Sequence, residues 1–247
     1  MQVQAIKTHR ITTKDQNVLA ILDAYLPTLH DGTILAITSK IIAICQGRVV
    51  PIGTVDKHTL IAQEAEYFLP PDLNKYHMTL TIKHGLLIPT AGIDESNGDG
   101  FYVLWPQAPQ QTANEVRAYV QRRFGCQHLG IIITDSKTTP LRRGVTGIAL
   151  AYSGFHALNN YVGTVDLFGR PLRMTQVNVV DALATAAVLI MGEGSEQTPL
   201  AVVSDLPFVT FQERDPSAEE LQQLRIALED DLYGPLFTSV QWHKGQQ

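Results

Sequence analysis

The sequence predicts an α/β fold of the α+β kind, with mixed sheets, helices and lobes that share residues. Three observations carry that expectation. Short, branched apolar runs at 33–37, 131–133 and 200–204 have the length of strands. Segments that open on capping residues and repeat apolar positions at helical spacing lie at 18–25, 112–125 and 182–191. No repeat, low-complexity tract or clean linker separates them.

The elements follow in order. Thr13, with Gln16 three residues on, has the capping-box pattern, and Val18, Ile21, Leu22 and Tyr25 then place one apolar face on a core. Asp31-Gly32 marks a turn, and the strand at 33–37 releases Thr38, Ser39 and Lys40 at its C-terminal end. A strand-like run at 48–51 leads to a polar helix over 59–68, which Pro70-Pro71 closes. Residues 80–90 are apolar around Lys83, His84 and Gly85. They break into 91–100, ten residues with three glycines and three carboxylates that cannot be core. Thr112 and Glu115 open a second capping box, with Val116, Tyr119 and Val120 on one face and Gly125 placed to end the helix. The strand at 131–133 emits Thr134, Asp135 and Ser136. Glycines punctuate 140–175, which favours strands and tight turns. Asp181 is expected to cap an almost wholly apolar helix over 182–191, buried on most sides and stopped by Gly192-Glu193-Gly194. After the strand at 200–204, Ser217 and Glu220 start a final amphipathic helix carrying Leu221, Leu224, Leu228 and Leu232.

Composition narrows the function classes. Charged residues make up 17% of the 247, below the roughly 25% of ordinary soluble domains, so much of the chain is expected to be interior or interface. The net charge of −5 is scattered, which gives no electrostatic footprint for nucleic acid or membrane. Cys45 and Cys126 are too few and too far apart for a disulfide framework or a zinc cluster. With no run approaching the ~20 apolar residues of a membrane span, a cytoplasmic protein is expected.

Three places share one design, an apolar element that ends and releases a carboxylate beside small or hydroxyl residues. They are Asp94 with Asn97, Asp135 with Ser136, and Glu193. Singly, an Asp after a strand is more often a turn former or cap than a ligand. Together they offer hard oxygen ligands suited to Mg²⁺ or Mn²⁺, and two such ions could bridge nucleotide phosphates. The glycines around Glu193 are not a dinucleotide fingerprint, because the long helix precedes them. A Walker loop, an HExxH helix and a nucleophile elbow are absent from the sequence.

In order along the chain stand Thr38-Ser39-Lys40, Gly47-Arg48-Val49-Val50, His84-Gly85, Ala91-Gly92-Ile93-Asp94-Glu95-Ser96-Asn97, and 131–135 with Arg142 and Gly144. Asp166, Gly169-Arg170, Thr175, Asp181 and Met191-Gly192-Glu193 follow. This series resembles the coenzyme F420:L-glutamate ligase family over residues 1–205. The resemblance implies a two-lobed fold over 1–205, with 206–247 as a helix and tail packed on it, and a homodimer. It also implies a nucleotide- and metal-dependent ligase that adds L-glutamate to a deazaflavin precursor through an acyl phosphate, with two Mg²⁺ or Mn²⁺ ions and GTP or ATP. By that resemblance Asp94, Asp135, Ser136 and Glu193 are metal ligands, the three carboxylates being catalytic. Ser39, Lys40, Asn97, Met191, Gly192, Gly194, Ser195, Glu196, Gln197 and Thr198 contact the nucleotide. Arg142 and Arg143 are candidates for holding an acceptor carboxylate or phosphodiester bidentately, and His84 is a candidate acceptor contact.

The sequence also departs from the family's pattern. Ile44 and Gln46 stand where lysine and glutamate are usual, 137–141 replaces an aromatic and glycine-containing run, and Lys7-Thr8-His9-Arg10 replaces a Gly-Pro loop. Two alternatives follow from these departures: a glutamate ligase acting on folate or another pterin, and a non-catalytic nucleotide- or cofactor-binding homologue.

Overall fold

The computed structural model describes residues 1–246. The chain opens with β1 (Gln2–Ile6) and α1 (Val18–Tyr25). Asn17 caps this helix in place of Thr13, its side chain accepting the Leu19 N–H at 2.9 Å, because 13–14 form a turn. β2 (Thr33–Thr38) runs straight into α2 (Ser39–Cys45), so the polar end of the strand is the first turn of a helix. After β3 (Val49–Pro51), α3 (Lys57–Glu64) is capped by Asp56 and stops short of 68, since Ala65 turns extended and the chain continues as β4 (Tyr67–Leu69). β5 (Leu80–Lys83) and β6 (Leu86–Pro89) form a hairpin turned by His84 and Gly85, both at positive φ.

After β7 (Phe101–Val103), α4 (Pro109–Phe124) begins earlier than Thr112, since Pro109 preorganises its first turn. It ends at Gly125 in the left-handed region, as its sequence predicts. β8 (Leu129–Thr138) does not stop at 133. It crosses a bulge between Ile133 and Thr134, so Asp135 and Ser136 lie within a strand rather than in a following loop. β9 (Val145–Ser153), β10 (Leu158–Asn160) and β11 (Gln176–Asn178) lead to α5 (Val179–Met191). Asn178 is the cap of α5, accepting the N–H of Asp181, which sits in the first turn. After β12 (Leu200–Ser204), Ser217 and Glu220 start a helix as expected, through a capping box, but α6 (Ala218–Gln223) is short and Leu232 is exposed. α7 (Gly234–Phe237) and β13 (His243–Lys244) complete the chain described.

The larger sheet has the order β1-β12-β2-β8-β9, antiparallel except for the parallel pair β2 and β8. Both of its faces are covered, which is why β2 and β8 are continuous apolar runs rather than alternating ones. Leu35, Ile37, Ile131 and Ile133 pack under α1, α2 and α4, whereas Ile34, Ala36 and Ile132 pack under α5. A second sheet, β13-β4-β5-β6, and the small β3-β7 pair surround a lesser core that includes Ile61, Ala91, Ile93 and Tyr102; the elements around this core are termed the smaller lobe, and those around the larger sheet the larger lobe. The fold is therefore mixed α+β, as expected. Cys45 is half-buried and Cys126 buried, both as free thiols, and burial pushes the Cys45 thiol up to about 11. Among the described residues no helix is long and apolar enough to cross a membrane.

Candidate functional site

A cavity of about 370 Å³ opens between the ends of β2 and β8, the segment 94–99 and the loop after α5. It gathers Lys40, Asp94, Asn97, Asp135, Ser136, and every residue from Met191 to Thr198. Thus nearly all the residues picked out from sequence share one wall, although they come from four separate stretches of chain.

Asp135 comes from the larger sheet. Its Oδ1 accepts the Ser136 N–H at 2.8 Å, and its Oδ2 accepts the indole N–H of Trp105, which is 1% exposed. Burial pushes the carboxyl up to about 6, against the hydrogen bonds, and the negative charge of Asp94 adds to the rise. Asp94 comes from the smaller lobe, where Ile93 and Ala91 are core and the Asp94 backbone bridges Val103. Its Oδ2 lies 2.6 Å from Lys40 Nζ, and its Oδ1 accepts both the N–H and the hydroxyl of Ser96 at 2.8 Å. Burial raises this carboxyl too, but Lys40 and Ser96 outweigh it and hold it below the usual range.

The loop after α5 closes the third side. Gly192 sits at φ +80, where a Cβ would fall 2.6 Å from the carboxyl carbon of Glu196. The positive φ is what calls for glycine, since the Glu196 carboxyl is the movable end of a side chain. Gly194 donates its N–H to Glu196 at 2.8 Å, and its carbonyl accepts from Asn97 at 2.9 Å, tying the loop to the Asp94 segment. Glu193 Oε2 lies 3.5 Å from Ser136 Oγ, and partial burial raises its carboxyl above the usual range.

The donors offered to a cation are all oxygen, which fits Mg²⁺ or Mn²⁺ rather than a softer metal. Among the described residues no three His, Cys, Asp or Glu side chains already converge at ligating distance, and the Lys40 ammonium is the cation lying on Asp94. The cavity wall carries five carboxylates, Asp94, Asp99, Asp135, Glu193 and Glu196, against two fixed cations, Lys40 and Arg10. A polyphosphate entering this field would be repelled unless divalent cations entered with it.

Other candidates lie elsewhere. Ser39 is buried at the start of α2 and is not on the cavity wall. Arg142 and Arg143 are exposed at the tip of the β8–β9 hairpin and line neither this cavity nor the second one. His84 lines that second cavity, of about 230 Å³, together with Gln110, Tyr152 and Arg225, and its ring stacks on Trp105 at 5.9 Å. Burial and the neighbouring Lys83 lower its pKa. Sequence reasoning missed Trp105, whose only signal was an aromatic after a strand. Of the segment 7–10 that replaces the family's Gly-Pro loop, Thr8, His9 and Arg10 line the cavity, and the Thr8 N–H bonds the Gln197 carbonyl at 2.9 Å. Ile44 does reach the wall, as an apolar patch beside Ile41.

Comparison with known proteins accords with this arrangement. A family model described as F420-0:Gamma-glutamyl ligase matches residues 5–205. A protein named coenzyme F420:L-glutamate ligase from Methanopyrus kandleri is 31% identical over 208 residues, covering 76% of this chain and 81% of its own length. One of the same name from Methanocaldococcus jannaschii is 30% identical over 223 residues, covering 81% and 87%. A third, from Methanococcus maripaludis, is 38% identical over 125 residues, covering 51% and 50%. The matched span holds every carboxylate of the cavity, and the chain belongs to the F420-0:gamma-glutamyl ligase family.

Proposed function

We propose that the protein is a nucleotide- and divalent-metal-dependent ligase that joins L-glutamate to a carboxylate of a coenzyme F420-0-like acceptor. The observation that carries this reading is the cavity wall itself, an excess of hard oxygen donors beside a glycine loop and two phosphate-sized cationic groups. The relatives' names supply the acceptor and the amino acid.

In this reading Lys40 and Arg10 engage the polyphosphate, Lys40 exchanging its contact with Asp94 for phosphate oxygen. Asn97 and the backbone of the loop from Gly192 to Thr198 hold the remainder of GTP or ATP. Asp94, Asp135, Ser136 and Glu193 would hold Mg²⁺ or Mn²⁺, two ions in all, which would neutralise charge during phosphoryl transfer. The acceptor carboxylate oxygen displaces nucleoside diphosphate from the γ-phosphorus and becomes an acyl phosphate. The glutamate amine then attacks the acyl carbon, inorganic phosphate leaves, and the nitrogen gives up a proton.

The segment between β9 and α5 supports a homodimer. Leu167, Phe168 and Met174 are each about nine-tenths exposed there, and Leu189 and Ile190 of α5 are exposed as well. Apolar surface of this extent is costly in a monomer. A cytoplasmic setting agrees with two free cysteines and no disulfide.

The test is incubation of purified protein with labelled glutamate, Mg²⁺, GTP or ATP, and either F420-0 or tetrahydrofolate. Glutamylated deazaflavin with stoichiometric nucleoside diphosphate is expected. Turnover confined to the folate arm would replace the acceptor, and no product with any acceptor would leave a nucleotide-binding homologue. Light scattering of the same preparation should give twice the 27.2 kDa chain mass.

A further inference from the structure

We propose that Trp105 is a positioning residue for Asp135, a donor from the smaller lobe that fixes the carboxylate of the larger one. It rests on the reading of Asp135 as a cation ligand. Trp105 does not line the cavity and so acts only through Asp135.

The carboxylate is gripped at both oxygens. Ser136 N–H binds Oδ1 from within β8, and the indole N–H binds Oδ2 from across the molecule. Two donors at two oxygens fix the plane of the group while leaving each oxygen a lone pair for a ligand. With its ring 1% exposed, the indole has no water to fall back on if Asp135 turns away.

The indole is itself held from several sides. The His84 ring stacks on it with a 14° interplanar angle, and Lys83 Nζ lies 5.4 Å from a Trp105 ring centroid. Lys83 is anchored to Glu64 at 2.7 Å. Arg48 binds the same carboxylate and also donates to the Trp105 carbonyl at 3.2 Å. Gly92 completes the fit, since a Cβ there would stand 2.0 Å from Trp105 Nε1. This glycine, ahead of Asp94 in sequence, makes room for the atom that holds Asp135.

Two measurements test the assignment. In a Trp242→Phe background, whose only indole is Trp105, the side-chain N–H resonance is followed by NMR. Asp135→Asn should move it upfield, and stoichiometric Mn²⁺ alone should broaden it away. An indole signal indifferent to Asp135→Asn overturns the proposal without any change at Trp105. In the second measurement Mn²⁺ binding is titrated calorimetrically. Trp105→Phe, which keeps a ring but removes the donor, and Gly92→Ala, which displaces it, should each weaken Mn²⁺ about 10- to 100-fold. Binding within twofold of the parent for Trp105→Phe, while Asp135→Asn abolishes it, sinks the positioning role alone. If Asp135→Asn also leaves Mn²⁺ affinity unchanged, the ligand reading of the cavity falls, and the proposal with it.

Discussion

The two lobes each bring one aspartate to the cavity, and they hold it in opposite ways. Asp135 stands on a strand whose neighbours are fully buried, with two neutral donors and a carboxyl pushed up to about 6. Asp94 stands in a loop, paired to Lys40 and Ser96, with its carboxyl held down. Neutral donors in a desolvated place keep a carboxylate oriented without satisfying its charge, whereas an ammonium satisfies it. The contrast teaches that neutral donors orient Asp135 without meeting its charge, whereas the charge of Asp94 is met by Lys40, an ammonium carried to it by α2 from the side of the larger sheet.

The largest expected effect that tests this contrast is on turnover. Asp135→Asn and Asp94→Asn should each lower it by at least about 100-fold, as expected for lost cation ligands. Asp94→Glu, in a loop that can shift, should retain more activity than Asp135→Glu, in a packed strand. Steady-state rates that reverse this order would erase the difference between the two settings. Next come the cores. Ile132→Ala, between the larger sheet and α5, should cost about 2–5 kcal/mol in a chemical denaturation curve. Ile61→Ala, in the lesser core, should lower the same single transition, and a separate early transition would mean that the lobes unfold independently.

Smaller effects should carry opposite signs with pH. The folded-state pKa of Asp135 lies above its ordinary 3.8, so the folded protein binds more protons and stability falls as pH rises from about 4 to 6. Asp135→Asn should therefore gain stability relative to the parent as pH rises from about 4 to 7, on top of a pH-independent cost because an amide cannot accept from both N–H donors. The folded-state pKa of Asp94 is depressed, so it contributes stability above its ordinary value that is lost as pH falls through the folded one. Asp94→Asn should be the less stable protein at pH 7, and thermal melts of both variants across pH 3–8 would expose equal signs if they occur. The smallest effect lies outside both lobes' shared cavity. Arg214 and the Ser217 N–H lower Glu220 to about 2, so Glu220→Gln should differ from the parent near neutrality and match it as pH falls from 4.5 towards 2. An acid-unfolding midpoint unchanged by Glu220→Gln would assign that bridge no stabilising role.

Much of the larger lobe was legible because β2 and β8 are buried on both faces, and uninterrupted apolar runs such as 131–133 have few other uses; α5, expected to be buried on most sides, instead buries one face and leaves Leu189 and Ile190 exposed. Helix starts were less legible. Thr13 and Thr112 carry capping patterns, yet the caps fall at Asn17 and Ala108, because the entering chain decides which residue first adopts helical angles. The final helix was overread: Leu228 and Leu232 keep helical spacing after α6 has ended at Gln223. At the site, the acidic residues, Lys40, Asn97 and the glycine loop were readable as local motifs. Arg10 and Trp105 were not, since neither sits in a motif and each matters only through residues far away in the chain.

The sequence by itself determined the fold class, three strands of the larger sheet (β2, β8 and β12) and the identity of the oxygen donors, because burial and ligand chemistry leave marks within a few neighbouring residues. The tertiary structure decided which donors share a cavity, which aspartate is neutralised by Lys40 and which is gripped by an indole from the other lobe. It also left Arg142 and Arg143 at an exposed hairpin tip. These outcomes depend on distance and desolvation between segments that only folding brings together, and no local pattern encodes either quantity.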